Sequence, residues 1–435
     1  MVGAALHLAV DTLQRWPHLL AERLGPGPLL FAAAAAIGAL GVTLAFLLTR
    51  YVAPEAAGSG VPEVESALED GRKLRWRRVL PVKFLGGVLA LGSGLVGGRE
   101  GPTIHIGASI GSALSEWLGL DEMDAHTLLA AGAAAGLAAA FNAPLAAVLF
   151  VIEETRSQFR YTFRSYVGVI VASAGSAFGM ELVGGTAPPL RLDTTDLPLL
   201  MLPVFMLLGA SLGVLGVVFN KCLIVALDWR AKAFRRVPFL YAVIVGAAVG
   251  VLALVLPMAV GGGELLIPDL VTSNLSLQLL VLIAVMRFVG TMASYPVGVP
   301  SGIFAPLLAY SSALGLIAAA LVELALTRTS LAVPPMIGAG FAVAAMGGLF
   351  SATVRAPLVG VVLVIELTGA FELSMELMVT CVTAHVVAQW LGGRPIYEQL
   401  LERSMRLAGR TSTVRSQAPP SPVGTDDVPP RDDTR

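Results

Sequence analysis

The sequence predicts an all-α polytopic membrane protein with tilted and broken helices, and three observations carry that expectation. Of its 435 residues, 56% are hydrophobic and 14% charged, where soluble chains carry about 25% charged residues. The runs Leu29–Thr49, Thr127–Ile152, Leu197–Asn220, Val237–Gly263, Phe288–Val322 and Thr329–Val354 contain no Asp, Glu, Lys or Arg. Each reaches the roughly 20 apolar residues that a helix needs to cross a bilayer. Within them Gly and Pro recur, 47 and 27 in the chain, which a membrane tolerates only where the backbone is buried in protein or lines a cavity.

In chain order, residues 1–28 are interrupted by Asp11, Arg15, Glu22 and Arg23. They read as a cytoplasmic amphipathic helix beside the membrane, not as a secretory signal. Residues 29–195 and 196–408 form two transmembrane repeats. Residues 409–435 are rich in Ser, Pro, Thr, Asp and Arg and read as a disordered cytoplasmic tail. Basic residues gather on alternate connections: five in Gly71–Arg78, three in Arg156–Arg164, four in Asp228–Arg236 and seven from Arg394 onward. Gly184–Pro198 has only Arg191, and Pro257–Ser276 has none. The positive-inside rule then puts both termini in the cytoplasm.

Composition also removes whole classes of function. A net charge of −1 without a basic stripe gives no pull toward nucleic acid. Cys222 and Cys381 sit in apolar stretches as packing residues and are too few for a metal cluster or disulfide framework. No metal or cofactor is expected. The chain also lacks a P-loop, an H-E-x-x-H pair and a G-x-S-x-G elbow, so neither ATP use nor an intramembrane enzyme is supported.

The two halves repeat. Ala138–Thr155 aligns without gaps on Ser351–Thr368 with nine of 18 positions identical, including Ala143-Pro144-Leu145 against Ala356-Pro357-Leu358 and Glu153 against Glu366. Upstream, Gly98–Pro102 (GREGP) stands against Gly302–Pro306 (GIFAP). Corresponding Gly/Pro interruptions in repeated halves point to a transport site near the midplane. A third segment, Gly58–Glu63 (GSGVPE), has the same design of glycines just before a proline. Each reads as a helix N-terminus with free N–H donors and a partial positive charge. Three such ends aimed at one point would hold an anion without a full cationic partner, a grip that still permits release.

These motifs, with Phe141–Thr155 (FNAPLAAVLFVIEET) and Gly392–Tyr397 (GGRPIY), resemble the CLC family of chloride channels and chloride/proton antiporters over about residues 30–408. The resemblance implies a CLC-type inverted-repeat fold and a homodimer with one pore per subunit, embedded in the plasma membrane (the bacterial inner membrane). Chloride and protons would be the transported ions. It implies an anion site from Ser59, Tyr397 and the backbone N–H groups of Ile303 and Phe304, with Glu100 as external gate and Glu154 as internal proton-transfer residue. Ser294–Ser301 (SYPVGVPS) departs from the Ser-Ser-Gly-rich run common in relatives. The nucleotide-binding modules that some relatives append have no counterpart after residue 409, so no nucleotide is expected.

Individual residues sharpen the reading. Glu100 is an ionisable group at a predicted helix start inside an apolar region, functional by default. Glu153 matches Glu366 in the repeat and reads as architectural, whereas Glu154 is matched by Leu367 and has no such counterpart. Lys83 supports the anion path electrostatically, Arg99 shapes the potential beside Glu100, and His105 and His385 belong to the core. The favoured function is chloride/proton antiport. Its rivals are a passive chloride channel and a fluoride exporter of the same family, the latter disfavoured by Ser59 and Tyr397.

Overall fold

A computed structural model describes residues 1–69, 74–155, 162–184, 190–192, 194–195, 197–273, 275–328 and 336–407. Two short helices open the chain, α1 (Val2–Leu13) and α2 (Trp16–Leu24). The first half follows as α3 (Pro28–Val52), α4 (Val61–Glu69), α5 (Trp76–Gly92), α6 (Glu100–Leu118), α7 (Glu122–Phe141), α8 (Pro144–Thr155) and α9 (Phe163–Gly184). The long α10 (Leu202–Ala233) leads into α11 (Pro238–Val255), α12 (Ile267–Thr272), α13 (Leu277–Ser294), α14 (Phe304–Arg328), α15 (Ile337–Val354), α16 (Pro357–Thr368), α17 (Ser374–Trp390) and α18 (Ile396–Leu407). Among the described residues nine helices are long and apolar enough to cross a membrane.

The sequence repeat is a repeat of elements. From α3 to α9 and again from α11 to α17 the order is one long helix, one short, three long, one short of 12 residues, one long. The matching helices α3 and α11 pack antiparallel. Gly38 meets Gly246 while Ala34 meets Gly250, where added Cβ atoms would strike carbonyl oxygens at 2.2 Å, so α3 and α11 touch backbone to backbone. Small residues allow such approach where lipid offers no hydrophobic drive. Glu366, near the end of α16, accepts the Leu145 and Ala146 N–H groups at 3.0 and 2.7 Å. A carboxylate thus satisfies the open donors at the start of α8. The breaks repeat too: Asn142 and Arg355, each just before an Ala-Pro-Leu, adopt left-handed φ of 51° and 74° and end α7 and α15.

The opening segment departs from expectation. Residues 1–28 are two helices and a third begins at Pro28, and α1 buries Leu6 and Val10 against Leu91 and Ile106. Its apolar face thus meets protein, which accounts for the amphipathic pattern. Gln14 and Trp16 donate side-chain N–H groups to the Leu91 and Gly92 carbonyls, at the end of α5 opposite Arg75–Arg78. Seventeen residues of helix, about 25 Å, separate the two ends. The opening segment thus packs at the end of α5 remote from that basic stretch. Lys73, Arg156, Arg160 and the tail from 409 lie outside the described residues.

Candidate functional site

The three glycine-proline segments meet at one place. Gly98 and Gly302 exchange backbone hydrogen bonds at 2.9 and 2.8 Å, and Gly58 donates to the Val299 carbonyl at 3.1 Å while accepting from Ser301 N–H at 3.2 Å. Packing tolerates nothing larger at the centre. A Cβ on Gly101 would lie 2.8 Å from the Ser59 Cα and 2.9 Å from the Gly302 Cα. Gly58 and Gly60 take left-handed φ of 65° and 84°, which turns the Ser59 loop sharply into α4. Lys83, wholly buried, donates to the Gly58 carbonyl at 2.7 Å and fixes the loop from below.

Glu100 lies in the middle of this junction, 1% exposed. The Phe304 N–H donates to its Oε1 at 2.6 Å and the Ala305 N–H at 3.4 Å. The carboxylate therefore occupies the N-terminus of α14, where unpaired donors and the helix dipole favour an anion. The α14 donors to it are Phe304 and Ala305, and the backbone N–H of Glu100 itself also bonds to it; the Ile303 N–H, expected in the anion site, is not among them. Cβ atoms built on Gly98 and Gly302 would reach the carboxylate oxygens at 1.9 and 2.2 Å, so both glycines leave room for this side chain.

Below the carboxylate the remaining candidates converge. Ser59 is 1% exposed, its Oγ accepts the Val61 N–H at 3.4 Å, and Tyr295 hydrogen-bonds to it. Tyr397 is 1% exposed, with its ring 5.7 Å from that of Phe304. Phe150 and Phe350 pack edge-on to Phe304 at 5.3 and 4.9 Å. Tyr397 is held from behind: Asn220 Nδ2 donates to the Thr353 and Arg394 carbonyls, and Arg355 donates to those of His385 and Gly393. At the surface end of α18, Arg394 pairs with Glu398 and Glu402 and holds the Glu402 carboxyl below its ordinary range.

Glu154 sits in the last turn of α8, half-buried, hydrogen-bonded to Glu65 of α4. Glu65 is 2% exposed and belongs to the helix that follows the Ser59 loop. Sequence reasoning missed Glu65, Tyr295 and Asn220, since none stands in a repeated motif, and Arg355, which lies inside the repeat but opposite a different residue, Asn142. The signal available was weak: Glu65 falls two residues beyond GSGVPE, and Asn220 is a polar residue inside a charge-free run. His105 is fully buried against Gly60, and Cys381 is buried without a disulfide partner.

Residues 41–389 match the family model described as voltage gated chloride channel. Over 407 residues the chain is 43% identical to an H(+)/Cl(-) exchange transporter ClcA of Vibrio parahaemolyticus, covering 92% of this chain and 85% of that protein. Its structure superposes on that of a slow cyanobacterial Cl-/H+ antiporter with a TM-score of 0.88 and 36% identity, covering 94% and 95% of the two chains. A CLC-type fluoride/proton antiporter, at 22% identity and a TM-score of 0.68 over 89% of this chain and 93% of that one, shares the fold.

Proposed function

This chain belongs to the voltage-gated chloride channel family, and from that premise we propose that it exchanges chloride for protons across the plasma membrane. Two of the relatives it matches, at 43% and 36% identity, are named as chloride/proton exchangers. The observation that carries the reading is the Glu100 carboxylate seated on the α14 N-terminus by the Phe304 N–H at 2.6 Å. A carboxylate and a chloride ask the same thing of that place, so one displaces the other.

The cycle follows from charge. Ionised, Glu100 fills the helix terminus and excludes chloride. Protonated, it loses most of its attraction to the terminus, swings out and frees the N–H donors. Chloride then enters beside Ser59 and Tyr397, whose hydroxyls complete its coordination. The Ile303 N–H joins that of Phe304 in holding the anion. On the other face Glu154, sharing a hydrogen bond with Glu65, receives the proton from the cytoplasm and passes it inward. Since the proton's path and the anion's path join only at Glu100, one ion cannot complete its crossing without the other.

The same reading gives orientation. Arg75–Arg78, Arg230–Arg236 and the α18 arginines face the cytoplasm by the positive-inside rule; Arg403 pairs with Asp228 and ties two of these stretches together. Gly92, Arg99 and Trp16 then face outward. Two copies form a dimer with one such path in each. The test is reconstitution of the purified chain in chloride-loaded liposomes with external pH and chloride recorded together. Proton movement against its gradient, driven by chloride, supports exchange; chloride movement without protons identifies a channel.

A further inference from the structure

One carboxylate near Glu100 is unused by this cycle. Glu264 opens the short 3-10 turn Glu264–Leu266 before α12. Its Oε1 accepts from Arg99 Nε at 2.7 Å, while Arg99 Nη2 donates to Asp11 at 2.7 Å. Arg99 immediately precedes Glu100, so a cation adjoining the gate in sequence is shared between two carboxylates from distant parts of the chain. The glycine run 261–263 makes the placement possible. A Cβ on Gly262 would lie 2.3 Å from Glu264 Oε2, and one on Gly263, at φ 90°, 2.3 Å from Arg287 Nη1. Arg287, wholly buried on α13, donates to the Val260 and Gly262 carbonyls and locks the turn. Glu264 Oε2 is buried with no hydrogen-bond partner. Arg99 and Glu264 line a cavity of about 520 Å³ with Trp16, Gly92 and Pro257, on the gate's outward side.

We propose that Glu264 is a positioning residue for the gate, whose charge sets the pH at which Glu100 leaves the anion site. The inference rests on Glu100 being that gate. The outer cluster is Glu264 before α12, whose charge acts on Glu100, with Arg99 at the head of α6 paired to it, Asp11 of α1 paired to Arg99, and Arg287 of α13 beside Glu264; together they sum to zero. Two other groups are near: His7 of α1, beside Arg99, and Tyr397 of α18, below the carboxylate. Lys83 of α5 is committed to the Gly58 carbonyl, and Glu65 of α4 to Glu154. The charges of α7 sit in its first turn, at the far end of α6, where Asp124 pairs with Arg164; those of α14, Glu323 and Arg328, lie in its closing turns. With Glu264 neutral, the outer cluster becomes net positive. A positive field favours the ionised carboxylate and holds the gate shut until more acid is supplied.

The test is chloride flux from liposomes bearing the full chain, with pH equal on both sides and varied together. Glu264→Gln should keep the parent's flux at the acid plateau and move the midpoint of activation to lower pH by about half to one unit. Glu264→Asp, which keeps the charge, should stay within a few tenths of a unit of the parent. An unmoved or more alkaline midpoint in Glu264→Gln overturns the proposal, and loss of flux at every pH overturns it in favour of a purely structural role. Glu100→Gln, measured alongside, keeps the two readings apart. If its flux still follows pH, the gate itself is misassigned; if its flux is flat while Glu264→Gln matches the parent, the role of Glu264 fails alone.

Discussion

Glu100 and Phe304 lie 204 residues apart in sequence, and the Phe304 N–H donates to the Glu100 carboxylate at 2.6 Å. The bond joins the two halves of the chain at the point where α6 and α14 both begin. It places a titratable side chain where a transported anion would sit, so one proton decides which of them occupies the site.

Replacing Glu100 by Gln removes the charge and little else. Chloride flux is expected to persist and become independent of pH, with no proton movement. Proton pumping by this variant under a chloride gradient would show that the coupling group lies elsewhere.

Gly98→Ala is expected to open the gate without touching the carboxylate. The three nearest contacts of a Cβ there all belong to the Glu100 side chain, from 1.9 Å, and a flexible side chain yields before backbone does. Flux at neutral pH should rise toward that of Glu100→Gln, read in the same liposome assay. A parent-like pH profile would mean that the side chain finds room without leaving. Gly101→Ala presses instead on the Ser59 and Gly302 backbones and should reduce stability and flux together.

Asn220→Ala should weaken anion binding without touching the anion. Its amide bonds to the Thr353 and Arg394 carbonyls hold the turn into α18 that presents Tyr397. Losing two buried hydrogen bonds costs about 1–3 kcal/mol, part of which appears as lower chloride affinity by calorimetry. Affinity equal to the parent's would show that Tyr397 is held by its aromatic neighbours alone.

Glu154→Gln should keep chloride transport and abolish proton movement. Its hydrogen bond to Glu65 survives as an amide–carboxyl contact, so the fold is spared while the proton carrier is lost. Proton uptake matching the parent, with chloride flux intact, would assign the inner relay to Glu65 or another group.

Most of this was legible in the sequence where the chemistry is local. Glycine-proline breaks mark helix starts because the backbone itself imposes them, and the matched Ala-Pro-Leu and Glu positions revealed the repeat whose capping bond, Glu366 to α8, the structure contains. What escaped was set by distance in the fold. That Phe304 and Ala305 donate to the Glu100 carboxylate is a matter of how it enters the α14 terminus. Glu264, Asp11 and Arg99 come from three separate segments, and no spacing announces their meeting. The packing of α1 on Leu91 and Ile106 escaped because an apolar stripe facing protein and one facing a membrane surface have the same periodicity.

The measurement that tests the central claim most directly is chloride binding to the purified protein by calorimetry across a pH series, for the parent and for Glu100→Gln. If the carboxylate and chloride compete for the α14 terminus, the parent binds chloride more tightly as pH falls, while Glu100→Gln binds it with one affinity at every pH. A parent affinity that does not change with pH, or a Glu100→Gln affinity that follows pH as the parent's does, would contradict the account.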